Sequence, residues 1–243
     1  MRRRGTEAPV ASFLALLHYC HTGYMRSFGY IAPMLLYFGS FAWLYMVAPN
    51  PVMSSYGFTA VLLYAVSAWI AFGYIDAEPE AQQIVTALHA QSFLKFATAK
   101  LAYLALLTAP FAFVAVFGPP LAGVFERAAT AEELALALAG HLLLSWLGIG
   151  TGVLFGKRLF PGKSYKLLVL LLVIASSVGA EGIRNALPAF AAPVVWLLPP
   201  VRLVMRVFIG EDGTGPAAAM TAAAGYAALQ FVLFVLILKR KGL

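Results

Sequence analysis

Residues Tyr74 to Lys100 read YIDAEPEAQQIVTALHAQSFLKFATAK. This one polar, charge-bearing stretch stands between two hydrophobic spans. Acids come first, then an amphipathic turn or two, then lysines that enter the next apolar run. The pattern is more than a connector: it has the shape of a handle that another protein could grip. Ile84, Val85 and Leu88 fall on one side of a helix over Glu80 to His89, with Gln82, Gln83 and Thr86 on others. An apolar stripe of that width can dock in a partner's groove; it can equally rest on lipid headgroups. Glu78 and Glu80 stand at the N-terminus, where the helix dipole favours carboxylates. His89 reads as an exposed or capping residue.

Everything around this stretch is built for lipid. Of the 243 residues, 62% are hydrophobic and 11% charged, and the mean hydropathy is +0.84. An ordinary soluble domain is about 45–50% apolar and about 25% charged. Continuous apolar runs of about 20 residues predict transmembrane helices, and this length holds roughly six of them with no soluble domain. Barrel strands would alternate instead. The net charge of +7 fits lysines and arginines flanking spans rather than a nucleic-acid surface. Cys20 is the only cysteine, so an intrachain disulfide is impossible. The basic start and the patch from Ala11 to Leu17 partly mimic a signal peptide. The patch is brief, runs into His18, His21 and Arg26, and has no clear cleavage site, so it is expected to stay.

The pattern places span one at Tyr30–Val47, ended by Ala48 to Pro51, and span two at Tyr56–Ile75. Span three is Leu101–Phe117, stopped by Gly118-Pro119-Pro120. Span four is Leu134–Phe155, followed by the basic loop Lys157 to Lys166. Span five is Leu167–Ile183. A half-apolar region with four prolines follows, and span six is Ala217–Leu238. With the N-terminus inside, thirteen of the 17 lysines and arginines lie on inner segments: Arg2, Arg3, Arg4, Arg26, Lys95, Lys100, Lys157, Arg158, Lys163, Lys166, Lys239, Arg240 and Lys241. Arg127, Arg184, Arg202 and Arg206 lie on outer ones. The bias puts both termini in the cytoplasm. Residues 1–243 form one domain, with an N-terminal segment 1–27, a cytoplasmic segment 76–100 and an outer region 184–216. Ser12 to Ser27 has helical apolar spacing; it is a helix in the membrane interface or a cytoplasmic extension of span one.

This layout resembles the type-two permease subunit of bacterial ATP-binding-cassette exporters, over nearly the whole chain. In that family an acid ends span two; a short coupling helix, a polar or small residue, and a lysine opening span three follow. Here those are Asp76 and Glu78, then Glu80 to His89, then Ser92, then Lys100. PVVWLLPPVRLVMRVF, Pro193 to Phe208, is similar to the family's outer re-entrant region and its short amphipathic helix. The motifs are patterns of spacing and polarity, and the short outer loops leave no room for a large extracellular domain. The resemblance implies an all-α membrane protein with six spans, an interfacial N-terminal helix, a coupling helix and a broken re-entrant hairpin before the last span. It implies a bacterial plasma membrane, a cytoplasmic ATPase partner that carries ATP and Mg, and a second permease subunit, identical or sibling. Asp76, Glu78, Glu80, Ile84, Val85, Leu88 and His89 then dock the ATPase. Spans one, two and five line a path for a hydrophobic or amphipathic cargo such as a peptide, lipid or drug.

The chain itself lacks the phosphate loop GxxxxGK[ST]. Gly162-Lys163-Ser164 ends like it, but Lys157 stands where the first glycine is required. No cofactor is expected on this chain. Glu181 and Arg184, three apart, can pair on one helix face; they are a path or gate candidate, or a neutralising pair holding a turn. His141 within span four could touch cargo or bond between helices. His18, Cys20 and His21 could suggest zinc or copper, but nothing supplies a further ligand. Gly148, Gly150, Gly152 and Gly156 mark a packing seam in span four that also allows sliding. Two other classes stand beside the exporter: a non-transporting scaffold or immunity protein, and an intramembrane metalloprotease using Glu132-Glu133. The second needs an acid pair and histidines at membrane depth, and His141 is the only histidine nearby.

Overall fold

The computed structural model describes residues 8–90, 92–156, 163–210 and 215–240. Every regular element among them is helical: α1 (Ala8–Ser27), α2 (Ile31–Tyr45), α3 (Val52–Ala77), α4 (Glu80–His89), α5 (Phe93–Ala122), α6 (Ala131–Leu154), α7 (Lys163–Val178), α8 (Ala180–Ala186), a 3-10 helix (Ala192–Leu197), α9 (Val201–Ile209) and α10 (Pro216–Arg240). Four of these, α3, α5, α6 and α10, are each long and apolar enough to cross a membrane. Two bent pairs raise the number to six if each pair is one span: α1 with α2, at 81°, and α7 with α8, at 74°.

The centre is the α3–α6 pair, and glycine decides it. A Cβ on Gly148 would meet the backbone of Tyr64 and Ala68, and one on Gly152 the carbonyl of Ala68. Two helices approach this closely only where side chains are absent. Other faces of α6 close on other partners: Gly140 on Phe208 of α9, Gly150 on Gln230 of α10, and Gly156 on Ile75 of α3. A seam that touches three helices interlocks them, which is not the geometry of a sliding surface.

Inside this packing most polar groups near α6 pair between helices, the Tyr64 hydroxyl and Gln230 Oε1 standing without a hydrogen-bond partner among the described residues. Ser145 donates to Thr108 of α5 at 2.8 Å and sits 3.0 Å from the Ser67 hydroxyl of α3. Gln230 donates to Thr151 at 3.0 Å, and Thr151 donates to the Leu147 carbonyl. These bonds tie α3, α5, α6 and α10 into one body.

Three sequence expectations are corrected. Span three does not stop at Gly118: α5 continues through Pro119 and Pro120 to Ala122 and ends at Gly123, whose φ of 66° is left-handed. Pro120 has no N–H for the Val116 carbonyl, and Tyr56 supplies the missing donor at 2.8 Å. Span five is not continuous from Leu167 to Ile183, because the chain turns at Gly179 between α7 and α8. Span three also starts earlier, at Phe93, where Ser92 caps the helix by accepting from the Lys95 N–H.

Candidate functional site

The end of α3 and the whole of α4 form the site, and α1, α5 and α7 hold it. α3 ends at Ala77, because Pro79 disfavours helix at the residue before it; Glu78 is extended. The Asp76 carboxylate pairs with the ammonium of Lys166 on α7. Glu78 pairs with Lys100 of α5 at 2.7 Å. Its other oxygen accepts from the Tyr19 hydroxyl of α1 at 2.6 Å and, more loosely, from Thr86 of α4. Gln83 returns to the Glu78 carbonyl at 2.9 Å. One glutamate therefore joins α1, α3, α4 and α5.

Both lysines are almost wholly buried. Lys100 lies 4.7 Å from the Phe96 ring centre and 5.8 Å from that of Tyr74, and Lys166 lies 5.4 Å from that of Phe72. An ammonium out of water needs a carboxylate and benefits from aromatic faces. Asp76 and Glu78 are thus engaged within the chain, as clamps beneath α4. The lysines read from the sequence as flanking charges are the clamps' other halves, and charge counting could not reveal that.

α4 turns Gln83, Ala87 and Ala90 inward; Ala87 and Ala90 pack on Leu16 of α1 and on Phe96 and Ala99 of α5. Ile84, Val85 and Leu88 face outward, with Leu88 exposed to 72%. Glu80 is exposed in the first turn, and exposed His89 at the last turn bonds the Val85 carbonyl at 2.8 Å. Beside the helix a cleft is lined by Val153, Leu154, Phe234 and Leu238 together with Asp76, Glu78 and Glu80.

The other candidates lie apart from this site. His141 is fully buried; its Nε2 is 2.9 Å from the Thr59 hydroxyl of α3 and its Nδ1 is 2.7 Å from the Ala137 carbonyl. That is a bond between packed helices, closed over by Tyr56 and Phe208. Glu181 and Arg184 do meet, at 3.4 Å, but Arg202 and Arg206 of α9 join the same carboxylate. Glu133 is a helix cap: it completes a capping box with Thr130 and binds Arg127 at 2.5 Å. Cys20 is buried while His18 and His21 are exposed, so these three diverge. Among the described residues no three of His, Cys, Asp and Glu stand close enough to hold one metal ion. Lys157, Gly162 and the rest of the loop before α7 lie outside the described residues.

The chain matches no protein-family model, no curated protein and no solved structure.

Proposed function

We propose that this chain is the permease subunit of an ATP-driven exporter, with six spans and both termini in the cytoplasm of a bacterium. The observation that carries the reading is α4: a short helix with an outward stripe of Ile84, Val85 and Leu88, anchored at its base by two buried ion pairs. A docked ATPase that moves α4 pulls directly on α1, α3, α5 and α7 through Glu78 and Asp76. A lipid-resting helix needs the apolar stripe but has no need of such clamps. Glu80, exposed in the first turn of α4 and outside both clamps, offers a contact to a lysine or arginine of the ATPase.

ATP and Mg reside on that partner. A second permease subunit completes the path against α2 and α7, which leave much of their apolar surface open: α2 buries only Pro33 and Tyr37, and Leu168 and Leu172 of α7 are exposed. α3 contributes the narrow stripe of Phe58 and Trp69, about three turns apart. The cargo is hydrophobic or amphipathic.

Capture of the tagged chain from its native membranes tests this. Wild type brings down an ATPase subunit and Val85→Asp/Leu88→Asp does not. Wild type without any ATPase would sink the exporter reading and favour the scaffold.

A further inference from the structure

At the end of the bundle opposite α4, three arginines surround a single carboxylate. Arg206 holds Glu181 at 2.6 Å, while Arg184 and Arg202 only reach 3.4 Å. Three guanidiniums bring about fifteen N–H donors to a carboxylate with about four acceptor sites. One glutamate neutralises one arginine, so among the described residues the cluster keeps two positive charges. Glu211 and Asp212, which follow α9, lie outside those residues.

The cluster is not on an ordinary polar surface. Arg202 is 7% exposed, its guanidinium 4.8 Å from the centre of the Trp196 ring. Tyr226 of α10 donates to the Leu197 carbonyl at 2.7 Å. Tyr226 stands about 15 Å along α10 from Pro216, at 1.5 Å per residue. The chain between α8 and α9 therefore runs along the outside of α10, its side chains Val194, Trp196 and Leu197 left exposed. α9 is fixed there by Val204 and Phe208, packed on α3 and α6. Arg202 is the buried member of the cluster, whereas Arg184 and Arg206 remain open at 45% and 29% exposure. Around them the exposed side chains are apolar: Val194, Trp196 and Leu197.

Excess guanidinium with an apolar margin is complementary to one chemistry, an oxyanion attached to a hydrocarbon body. We propose that Arg184, Arg202 and Arg206 bind the phosphate group of an anionic amphiphile, whose apolar part lies along Val194, Trp196 and Leu197. A tetrahedral phosphate offers oxygens to several arginine forks at once, and it takes up the donors that Glu181 leaves unused. The same phosphate chemistry could arrive as a lipid headgroup or as free phosphate; the apolar margin of Val194, Trp196 and Leu197 favours the lipid. That this amphiphile is cargo rests on the exporter reading, whereas binding is a property of this chain alone.

The test uses the purified chain in detergent without any ATPase. Trp43, Trp69 and Trp146 are changed to Phe, leaving Trp196 as reporter. Its fluorescence is quenched with phosphatidylglycerol or phosphatidylcholine carrying brominated acyl chains. Phosphatidylglycerol is expected to reach half-quenching at about a tenfold lower concentration, and Arg184→Gln/Arg206→Gln to remove that preference. Arg26→Gln, a cation removed at the far end, keeps it. If the double variant does not fold, Arg184→Gln alone serves, since that side chain is half exposed; it narrows the preference. Equal quenching by both lipids in the parent, or a preference that survives loss of the arginines, overturns the site. Relief of quenching by millimolar inorganic phosphate, without lipid preference, assigns the anion to the soluble phase and overturns the amphiphile. Any of these results leaves ATPase capture through α4 unaffected, and loss of ATPase capture leaves this site standing.

Discussion

Breaking the Glu78–Lys100 pair tests whether α4 is clamped to the spans. The two side chains are 15% and 2% exposed and their charged atoms are 2.7 Å apart. An exposed pair at that distance is worth about 0–1 kcal/mol. Removing one partner of a buried pair costs about 3–5 kcal/mol, because the remaining charge is stranded. The two single changes are not equivalent. Glu78→Gln leaves the Lys100 ammonium sealed among Phe96, Tyr74 and neighbouring groups, and about 3 kcal/mol is expected. Lys100→Met leaves a carboxylate that still accepts from Tyr19 and can reach water, so about 2 kcal/mol is expected. With both changes no charge is stranded, and the total falls to about 1.5 kcal/mol.

The readout is a double-mutant cycle from unfolding in mixed micelles of denaturing and mild detergent, followed by far-ultraviolet circular dichroism. A coupling of about 3.5 kcal/mol is expected between the two sites. Additivity within about 0.5 kcal/mol would mean that the ammonium and carboxylate are each solvated, and the clamp argument would fail. A Lys100→Met variant costlier than Glu78→Gln would reverse the assignment of the buried partner.

Two other outcomes follow from the packing. Gly148→Ala drives a Cβ into the Tyr64 carbonyl and should cost about 3 kcal/mol, whereas Gly225→Ala, with nothing within 4 Å, should gain about 0.5–1 kcal/mol from helix propensity; the same micelle titration reads both. His141→Leu removes a buried bond but leaves Thr59 its Ser55 and Tyr56 carbonyls, so about 1–3 kcal/mol of stability is lost; if the chain transports, its cargo preference in vesicle uptake should match wild type.

The short helix after α3 was legible because its signals are local. Glu80 to His89 is the helix that composition marks, bounded by Pro79 before it and Ser92 after it, and its apolar stripe follows from spacing alone. The long apolar helices were legible for the same reason. What the residues did not announce depends on distant partners. Pro119 and Pro120 look like a stop, and become tolerable only because Tyr56, 60 positions away, feeds the Val116 carbonyl. Gly179 bends a continuous apolar run that hydropathy cannot divide. Arg202 and Arg206 counted as outer charges, and nothing in their spacing tied them to Glu181 on another helix. Lys100 and Lys166 show the limit best, since a lysine at a span's end has the same composition whether it snorkels to water or is buried against a carboxylate.

These partnerships restrict how the molecule can move. Gly148 and Gly152 bring α3 and α6 to backbone contact, Gly150 locks α6 on Gln230 of α10, and Ser145 joins α5 to the same body. Packed cores of this kind shift between discrete arrangements rather than deform continuously. A force applied at α4 therefore reaches the core as a rigid-body rotation, delivered through Asp76 and Glu78 at its edge. Relative motion is left to the elements outside the lock. α2 buries two residues only, and α7 is held at its start by Lys166 and bends away at Gly179. If transport occurs, cross-linking α3 to α6 should leave it intact, while cross-linking α7 to α9 should stop it. Inactivation by the first cross-link would contradict the rigid core directly, since that link joins helices whose backbones already touch.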